Sequence, residues 1–309
     1  MLDKVQGLTE NIERVFLGKS DVVRKLLVGF FAGGHILIED VPGVGKTLLA
    51  KTLAKSVDCS FQRIQFTPDL LPSDVVGVSI YNSTQGEFVF KHGPVFAHII
   101  LADEINRTTP RTQSSLLEAM NDFQVSVDGK TYELPKPFMV VATQNPHEFE
   151  GTYVLPENQL DRFMICMSVG YLDPKDEKRI LKEQKTTDPL DSIKPVITHD
   201  EVLEVQRMVR EVRLDDTIMD YVIRIANATR HSEFLQIGMS PRSSLHLTRA
   251  AQAWAFLEGR NYVIPDDVKV MAVPVIAHRV MNSNPFREQA TKQNASIITD
   301  IIDATAVPV

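Results

Sequence analysis

Residues 36–50 carry a pattern that suits the binding of a polyphosphate. The apolar segment Ile36–Ile38 predicts a short buried strand, and residues 46–56, which contain few helix breakers, predict a helix. Gly43 and Gly45 lie between them and permit the backbone angles of a tight loop. In this order of strand, loop and helix, backbone N–H groups face a phosphate chain. The predicted nucleotide-binding residues are Val41, Pro42, Gly43, Val44, Gly45, Lys46, Thr47 and Leu48.

Two side chains of this loop would act directly on the nucleotide. Lys46 would reach the terminal phosphates, and the hydroxyl of Thr47 would hold Mg²⁺. The consensus loop begins with glycine, whereas this chain has Asp40. Aspartate tolerates left-handed backbone angles, so we expect the loop to form with this carboxylate directed away from the nucleotide. The alternative is a plain glycine-containing turn before a helix.

The carboxylates of Asp103 and Glu104 form a second candidate group. They end an apolar run that begins at Ile99, which predicts a buried central strand with acids at its carboxyl end. Asp103 would bind the Mg²⁺ shell, in most cases through water, and Glu104 would polarise the water that attacks the phosphate. The alternative is a strand that ends in an acidic turn.

Three further polar residues occupy positions suited to a phosphate site. Asn145 ends the apolar strand predicted at 138–143 and suits the orientation of water or the sensing of a γ-phosphate, or it is a turn former before proline. Arg162 follows a short helix; it is either a surface partner of Asp161 or a cation facing a neighbouring subunit's nucleotide. Arg242 lies in the first turn of a helix, where a phosphate would stabilise its charge.

The elements that position these residues are readable from hydrophobic periodicity. Helices are predicted at 3–16 and from a cap at Ser20, a strand at 61–66, and a helix from Pro110. Two hairpins are predicted, one with strands at 75–80 and 87–90 and one across 124–134 with an Asp-Gly turn. The first hairpin is read as presented outward, with coverage of a sheet edge as the alternative.

The second half of the chain predicts helices without strands. The predicted helices span 174–185, 199–211, 215–230, 243–259 and 265–280. Ser240 is a candidate N-cap for the fourth of them, and residues 185–195 have the polar, proline-containing character of a linker. The tail from 282 to 309 is left unassigned.

Composition narrows the class of protein. With 309 residues the chain can form one large domain or two smaller ones, and its net charge of -7 opposes a general nucleic-acid binder. Cys59 and Cys166 adjoin apolar segments and are expected to be buried free thiols. No apolar run is long enough to span a membrane, so a cytoplasmic location is expected.

Taken together, the motifs resemble those of AAA+ ATPases, and most closely the MoxR family. The resemblance extends over roughly residues 10–280 and rests on several motifs in the same order, which makes it specific. The motifs are Val41-Pro42-Gly43-Val44-Gly45-Lys46-Thr47, Leu101-Ala102-Asp103-Glu104-Ile105-Asn106-Arg107, Ala142-Thr143-Gln144-Asn145-Pro146, Leu160-Asp161-Arg162-Phe163 and Ser240-Pro241-Arg242, with Gly93-Pro94-Val95-Phe96 before the second.

The resemblance implies an α/β fold in two parts. A P-loop AAA+ αβα core with a five-stranded parallel sheet and two β-hairpin inserts would span residues 1–172, and a small all-α lid domain would span 173–309. The hairpins would be the helix-2 insert and the pre-sensor-1 insert. Such proteins form homo-oligomeric rings, mostly hexamers, with ATP and Mg²⁺ between subunits. They resemble chaperones that remodel or activate partner complexes, often with a metal-binding von Willebrand A domain protein.

The resemblance also assigns roles to site residues. Asn145 corresponds to sensor 1, Arg162 to the arginine finger and Arg242 to sensor 2, while Arg107 and Arg111 stay alternatives for the finger. Two other functions compete with the ATP-driven remodeller: a DNA motor, because helicases have similar hairpins, and an ATP-binding scaffold with little turnover. The acidic balance opposes the first, and the intact acids and Asn145 oppose the second. A small-molecule P-loop kinase is a fourth, weaker alternative.

Overall fold

A computed structural model describes residues 1–84, 86–146, 151–183, 189–283 and 290–308. The helices are α1 Leu2–Glu13, α2 Ser20–Phe31, α3 Lys46–Ser56, α4 Pro72–Val76, α5 Pro110–Asp122, α6 Glu157–Leu160, α7 Pro174–Glu183, α8 His199–Glu211, α9 Asp216–Arg230, α10 Pro241–Leu257, α11 Pro265–Ile276 and α12 Ala290–Ala304. The strands are β1 Ile36–Glu39, β2 Phe61–Gln65, β3 Gly77–Asn82, β4 Glu87–His92, β5 Ile99–Asp103, β6 Gln124–Val127, β7 Lys130–Glu133, β8 Met139–Gln144, β9 Ile165–Met167, β10 Leu235–Ile237 and β11 Met281–Asn282.

The central element is a five-stranded sheet with the order β2-β5-β8-β1-β9. Every neighbouring pair in it is parallel. The register places Ile38 opposite both Thr143 and Met167, and Gln65 opposite Asp103. Because all strands run the same way, the loops that follow β1, β5 and β8 leave one edge of the sheet together. This confirms the predicted parallel sheet.

Helices cover both faces of this sheet. Alternate residues of a strand point to opposite faces, so Ile36 and Ile38 pack with α1, α2 and α3, whereas Leu37 packs with α5. The strands β1, β5 and β8 are buried along nearly their whole length, as expected of a sheet covered on both sides. The core therefore has the predicted αβα layers.

Both predicted hairpins are present, with a shifted start for the first. Strands β3 and β4 pair antiparallel, as do β6 and β7. Val75 and Val76, predicted to begin the first hairpin, instead end the helix α4, because Pro72 starts a helical turn that Gly77 ends with a φ of 103°. Phe90 of the first hairpin stacks on Tyr132 of the second, with ring centroids 4.3 Å apart, so the two hairpins are in contact.

The lid is helical, and it also contains a small sheet that the sequence did not predict. Strand β10 follows α9, and strand β11 lies where the unassigned tail begins; the two strands pair antiparallel. Within that tail, α12 buries Ile298 and Ile302 against the rest of the lid. Ser240 caps α10 as expected, since its Oγ accepts from Ser243 N. Ser20 was expected to be a cap but is the first residue of α2. Lys19 occupies the cap position, and its side chain donates to Tyr171 O and does not cap the helix.

The remaining expectations concern the thiols and the division of the chain. Cys59 and Cys166 are both free, as expected, but each is half-buried rather than fully buried. Desolvation still raises the pKa of both thiols, that of Cys59 to about 12. No helix among the described residues has the length and apolar character that a bilayer crossing requires. The division at residues 172 and 173 stays a prediction, because one buried apolar cluster includes residues from both parts.

Candidate active site

The predicted phosphate loop, residues 40–47, leaves the carboxyl end of β1 and enters α3. Gly43 and Gly45 have φ angles of 88° and 91°, in the region that favours glycine. Gly45 immediately precedes α3, so the first N–H groups of that helix point into the loop. The sequence forms this shape because glycines stand where the backbone turns left-handed. The loop has the geometry of an anion cradle.

The ammonium of Lys46 lies inside this loop. Its Nζ donates to the backbone carbonyl of Asp40 over 2.7 Å. Burial lowers the pKa of Lys46, while the carboxylates of Asp40, Asp103 and Glu104 act in the opposite direction. Lys46 therefore lies in the phosphate loop and close enough to the predicted acidic pair to interact with its charges.

The carboxylate of Asp40 is directed out of the loop by three backbone amides. One oxygen accepts from Val41 N at 2.8 Å, and the other accepts from Val169 N and Gly170 N at 2.7 and 2.6 Å. The last two residues follow β9 and lead toward the second half of the chain. The unusual aspartate thus binds a neighbouring segment of the protein, in agreement with the expected orientation.

Asp103 ends β5 and is held by residues from two other strands. One carboxylate oxygen accepts from Thr143 Oγ1 at 2.6 Å. The other accepts from the guanidinium of Arg63, at 2.6 Å from Nη2 and 3.1 Å from Nε. Since β8 and β2 flank β5, these contacts fix the carboxylate at the same sheet edge as the phosphate loop.

Glu104 adopts a strained backbone conformation beside it. Its φ of 57° and ψ of 50° lie in the left-handed region, and its N–H donates to Thr143 Oγ1 at 2.9 Å. Its carboxylate accepts from Gln65 Nε2 at 2.8 Å and forms an ion pair with Arg107 Nε at 3.2 Å. Strain of this kind persists where surrounding contacts enforce it, and here it turns the side chain toward Gln65 and Arg107.

Asn145 follows β8 directly and is half-buried. The strand β8 lies between β1 and β5, so Asn145 leaves the sheet between the phosphate loop and the acidic pair. The preceding Gln144 donates to Glu39 Oε1 at 2.6 Å and so ties the ends of β8 and β1 together. The role of Asn145 near the terminal phosphate stays a prediction.

A Mg²⁺ site at Thr47 and Asp103 agrees with the residues present. Among the described residues, no three side chains of His, Cys, Asp or Glu gather closely enough to hold a metal. Mg²⁺ bound to a nucleotide does not need such a cage, because phosphates and water fill most of its six positions. One hydroxyl and one carboxylate, each at this sheet edge, fit the chemistry of the ion.

The two predicted arginines lie close to each other and to Asp161. Arg242 Nε is 4.0 Å from Asp161 Oδ2. Burial, and to a lesser extent the positive charge of Arg242, lowers the pKa of Arg162. The carboxylates of Glu118 and Asp122 on α5 oppose that shift. The structure thus groups the two arginines around Asp161, where α6 ends and α10 begins.

The alternatives for these residues can be compared with the observed contacts. One alternative pairs Asp161 with Arg162 at the surface. In the structure the carboxylate of Asp161 accepts from the hydroxyls of Ser240 and Ser243, and it faces the guanidinium of Arg279. Of the alternative fingers, Arg107 pairs with Glu104 of its own chain. Arg111 is exposed at the start of α5. The identity of the arginine that acts between subunits stays a prediction.

The sequence pattern does not indicate the role of several residues of the site. Thr143, Gln65 and Arg63 hold the two carboxylates, and Arg279 contacts Asp161. Gln65 and Arg63 alternate with apolar residues in β2, which marks them as facing one side of a strand but gives no partner. Their roles come from strand pairing between distant segments.

Comparisons with known proteins agree with this geometry. A family model described as "ATPase family associated with various cellular activities (AAA)" matches residues 35–165, and one described as "AAA lid domain" matches residues 227–301. The chain is 49% identical over 300 residues to the protein YeaC of Bacillus subtilis, covering 97% of this chain and 93% of that protein.

Two further relatives extend over nearly the whole chain. Chaperone MoxR1 of Mycobacterium tuberculosis is 39% identical over 307 residues, covering 96% of this chain and 80% of that protein. A crystal structure from Cytophaga hutchinsonii, described provisionally as an ATPase, has a TM-score of 0.90 and 38% sequence identity. It covers 100% of this chain and 96% of that one.

Proposed function

The chain belongs to the MoxR family of AAA+ ATPases, and from this premise we propose that it hydrolyses ATP to ADP and phosphate. The observation that supports this most directly is the position of Lys46, inside the phosphate loop and within the electrostatic influence of Asp103 and Glu104. A loop alone would support nucleotide binding. The acids beside it add the means to activate water.

The side chains divide the reaction between them. The loop amides and Lys46 bind the phosphates, and Lys46 exchanges the Asp40 carbonyl for phosphate oxygens. Glu104 accepts a hydrogen bond from the attacking water and polarises it, and Asn145 orients that water or the terminal phosphate. When bound at Thr47 and Asp103, Mg²⁺ supplies positive charge that offsets the charge of the phosphates.

A second subunit completes the site. Arg162 serves as a cation for the ATP of a neighbouring subunit, and Arg242 senses a bound nucleotide. Burial and the nearby positive charge of Arg242 both lower the pKa of Arg162, so two cations lie together at a place where an anionic phosphate would stabilise them. A trans-acting cation is worth about 10³ to 10⁵ in rate, or about 4 to 7 kcal/mol of barrier. An isolated subunit should therefore turn over slowly, and a homo-oligomeric ring, by resemblance a hexamer, should turn over fast.

The energy released would remodel or activate a partner protein complex. Support comes from the relative whose name describes it as a chaperone. By family resemblance, the client includes a von Willebrand A domain protein. ATP as substrate is consistent with a cytoplasmic location. The acidic net charge of -7 weighs against a DNA motor, which a salt-dependent DNA-binding assay would detect.

The first experiment measures ATP hydrolysis per subunit as a function of protein concentration. We expect the rate to rise with concentration, and Arg162→Ala and Glu104→Gln to abolish it. Arg213→Ala is the matched control for Arg162→Ala, because the side chain of Arg213 is 77% exposed and pairs with Asp215 in the lid. Absence of turnover at any concentration would favour the ATP-binding scaffold. A flat rate with active Arg162→Ala would make Arg162 a surface residue.

A further inference from the structure

The lid inserts one buried guanidinium into the segment that carries Arg162. Arg279 lies three residues beyond the end of α11, and its side chain is 0% exposed. An arginine without access to water is costly unless its hydrogen bonds and charge are matched.

Arg279 contacts His246 and His278 within the lid, and its other partners lie on both sides of Arg162. Its Nη2 donates to the backbone carbonyl of Phe163 at 2.5 Å and to that of Asp161 at 3.3 Å. Its Nε lies 3.7 Å from the carboxylate of Asp161. The neighbouring His278 also lies 2.9 Å from the Phe163 carbonyl through Nε2. The lid therefore holds the backbone carbonyls of the two residues that flank Arg162.

A second lid helix binds the same segment. The N-terminus of α10 directs Ser240 Oγ and Ser243 Oγ to the carboxylate of Asp161, each at 3.3 Å from Oδ1. Arg242, the second residue of that helix, stands 4.0 Å from Oδ2. Asp161, the residue before Arg162, thus contacts both the start of α10 and Arg279, just beyond the end of α11.

The cluster is not arranged for stability alone. Arg279 Nη1 and His278 Nδ1 are buried, and neither has a hydrogen-bond partner among the residues that the structure describes. Replacing such a group by apolar side chains is often neutral or stabilising, so a cluster of this kind calls for another explanation. A guanidinium differs from an apolar side chain in fixing two carbonyls at once through a planar set of donors.

We propose that Arg279 is a positioning residue for Arg162, so that the lid of each subunit sets the orientation of the cation offered to its neighbour. This rests on the proposed function, in which Arg162 acts between subunits. Movement of the lid would shift the carbonyls of Asp161 and Phe163, and with them the base of the Arg162 side chain. The nucleotide state sensed by one subunit would then reach the active site of the next.

The first test does not depend on catalysis. Arg279→Lys keeps the charge, but a flexible ammonium lacks the planar guanidinium whose Nη2 donates to the carbonyls of both Asp161 and Phe163. We expect amide hydrogen exchange at Arg162 and Phe163 to accelerate by about tenfold or more, the size of a lost hydrogen-bonding contact of about 1.4 kcal/mol. Arg260→Lys is the matched control, since Arg260 pairs with the buried Asp267 elsewhere in the lid. Equal protection in Arg279→Lys and wild type would overturn the proposal.

The second test asks in which subunit the defect acts. Arg279→Lys should lower kcat by about tenfold or more. Nucleotide affinity should stay within about twofold, because the phosphate loop and the acids of the variant subunit are unchanged. Mixing it with Glu104→Gln should restore part of the rate, since Glu104→Gln subunits supply an intact Arg162 to Arg279→Lys neighbours. Absence of restoration would overturn the proposal, as would a wild-type kcat.

Two controls separate this proposal from the proposed function. Arg162→Ala mixed with Glu104→Gln should show the same restoration, and failure of that mixture would refute the shared active site itself. Asp161→Asn provides a second route if Arg279→Lys folds poorly, because it weakens the same contact from the other side. We expect it to reproduce both the faster exchange and the restorable loss of kcat; normal exchange in this variant would count against the proposal.

Discussion

At the scale of single residues, Thr143 joins the two candidate catalytic acids. Its buried hydroxyl donates to Asp103 and accepts from Glu104 N–H. Thr143→Val keeps the shape of the side chain and removes both contacts. We expect kcat to fall by about 10- to 100-fold, the usual effect of losing a supporting contact, with little change in nucleotide affinity. Steady-state kinetics and nucleotide titration measure the two quantities.

A second buried threonine provides the control for this prediction. Thr229 in the lid likewise donates one hydrogen bond, to Ala226 O, and accepts one, from Met239 N. Both Thr→Val variants should lose about 1–3 kcal/mol of unfolding free energy in urea titrations. If Thr229→Val also lost its catalytic rate, the effect at Thr143 would reflect stability and not the position of the acids.

His35 makes the fold sensitive to acid. Its Nε2 donates to Met120 O and its Nδ1 accepts from Val140 N, each at 3.0 Å, so the neutral ring is the form that fits. Burial lowers the pKa of His35 from 6.5 to about 4. The unfolded chain therefore binds a proton first as pH falls, and stability is lost between about pH 6.5 and pH 4. The slope for one histidine approaches about 1.4 kcal/mol per pH unit.

Removing this ring should reduce the pH dependence. His35→Gln should be less stable than wild type near neutral pH, because its amide cannot reproduce both contacts of the ring. Its unfolding free energy should then fall less steeply toward acid, as measured by urea titrations from about pH 7.5 to 5. The buried His278, whose pKa is lowered to about 3, should keep part of the slope in the variant. An unchanged slope would show that His35 is protonated equally in both states.

The sequence predicts some residues of the site and not others for a physical reason. Lys46 and Thr47 stand beside the glycines that shape their loop, so local order is enough to find them. Thr143 acts on Asp103 across 40 residues, and Arg279 acts on Phe163 across 116. Contacts over such distances depend on strand order and lid placement, which residue types alone do not encode.

At the scale of elements, Asp40 connects the phosphate loop to the segment after β9. Asp40→Gly restores the consensus residue and removes the acceptor for Val169 N and Gly170 N. We expect nucleotide affinity to change little and unfolding free energy to fall by about 1–3 kcal/mol. Calorimetry with and without nucleotide separates the two effects.

The same substitution elsewhere supplies a matched control. Asp58 has a φ of 50°, a left-handed conformation that glycine adopts without strain. Asp58→Gly should therefore leave stability unchanged or raise it. An equal loss of stability in the two variants would mean that the flexibility of glycine, and not the lost acceptor at Asp40, explains the result.

The differences between predicted and observed elements arise where the pattern is short. The central strands were predictable because their apolar runs are bounded by charged or turn residues. Strands β10 and β11 have only three and two residues, so alternation cannot reveal them. Val75 and Val76 favour a strand by residue type, yet Pro72 places them in a helix whose Val75 is buried.

At the scale of the whole molecule, the two halves share a core. The helix α2 packs against α8 and α10, and Leu27 in it is fully buried in the cluster that contains both halves. We expect one calorimetric unfolding transition for the full chain. A chain truncated after residue 172 should fail to fold cooperatively, because the apolar face of α2 would be exposed.

A substitution in this shared core tests the same point. Leu27→Ala should lower the free energy of unfolding by about 2–5 kcal/mol and shift the whole transition. The exposed Leu245 of the lid, 48% accessible, is the control, and its change to alanine should have a small effect. Two separate transitions, only one of them shifted, would show that core and lid unfold independently.

The raised pKa of the two thiols has a practical consequence for labelling the protein with fluorophores. With the pKa of Cys59 near 12 and that of Cys166 also raised, almost no thiolate exists at neutral pH. Maleimide dyes should therefore pass over the native cysteines. Ser83→Cys on the first hairpin and Glu204→Cys on α8, both exposed, could then carry a fluorophore pair in an otherwise natural sequence. Single-molecule energy transfer would follow each catalytic cycle in real time.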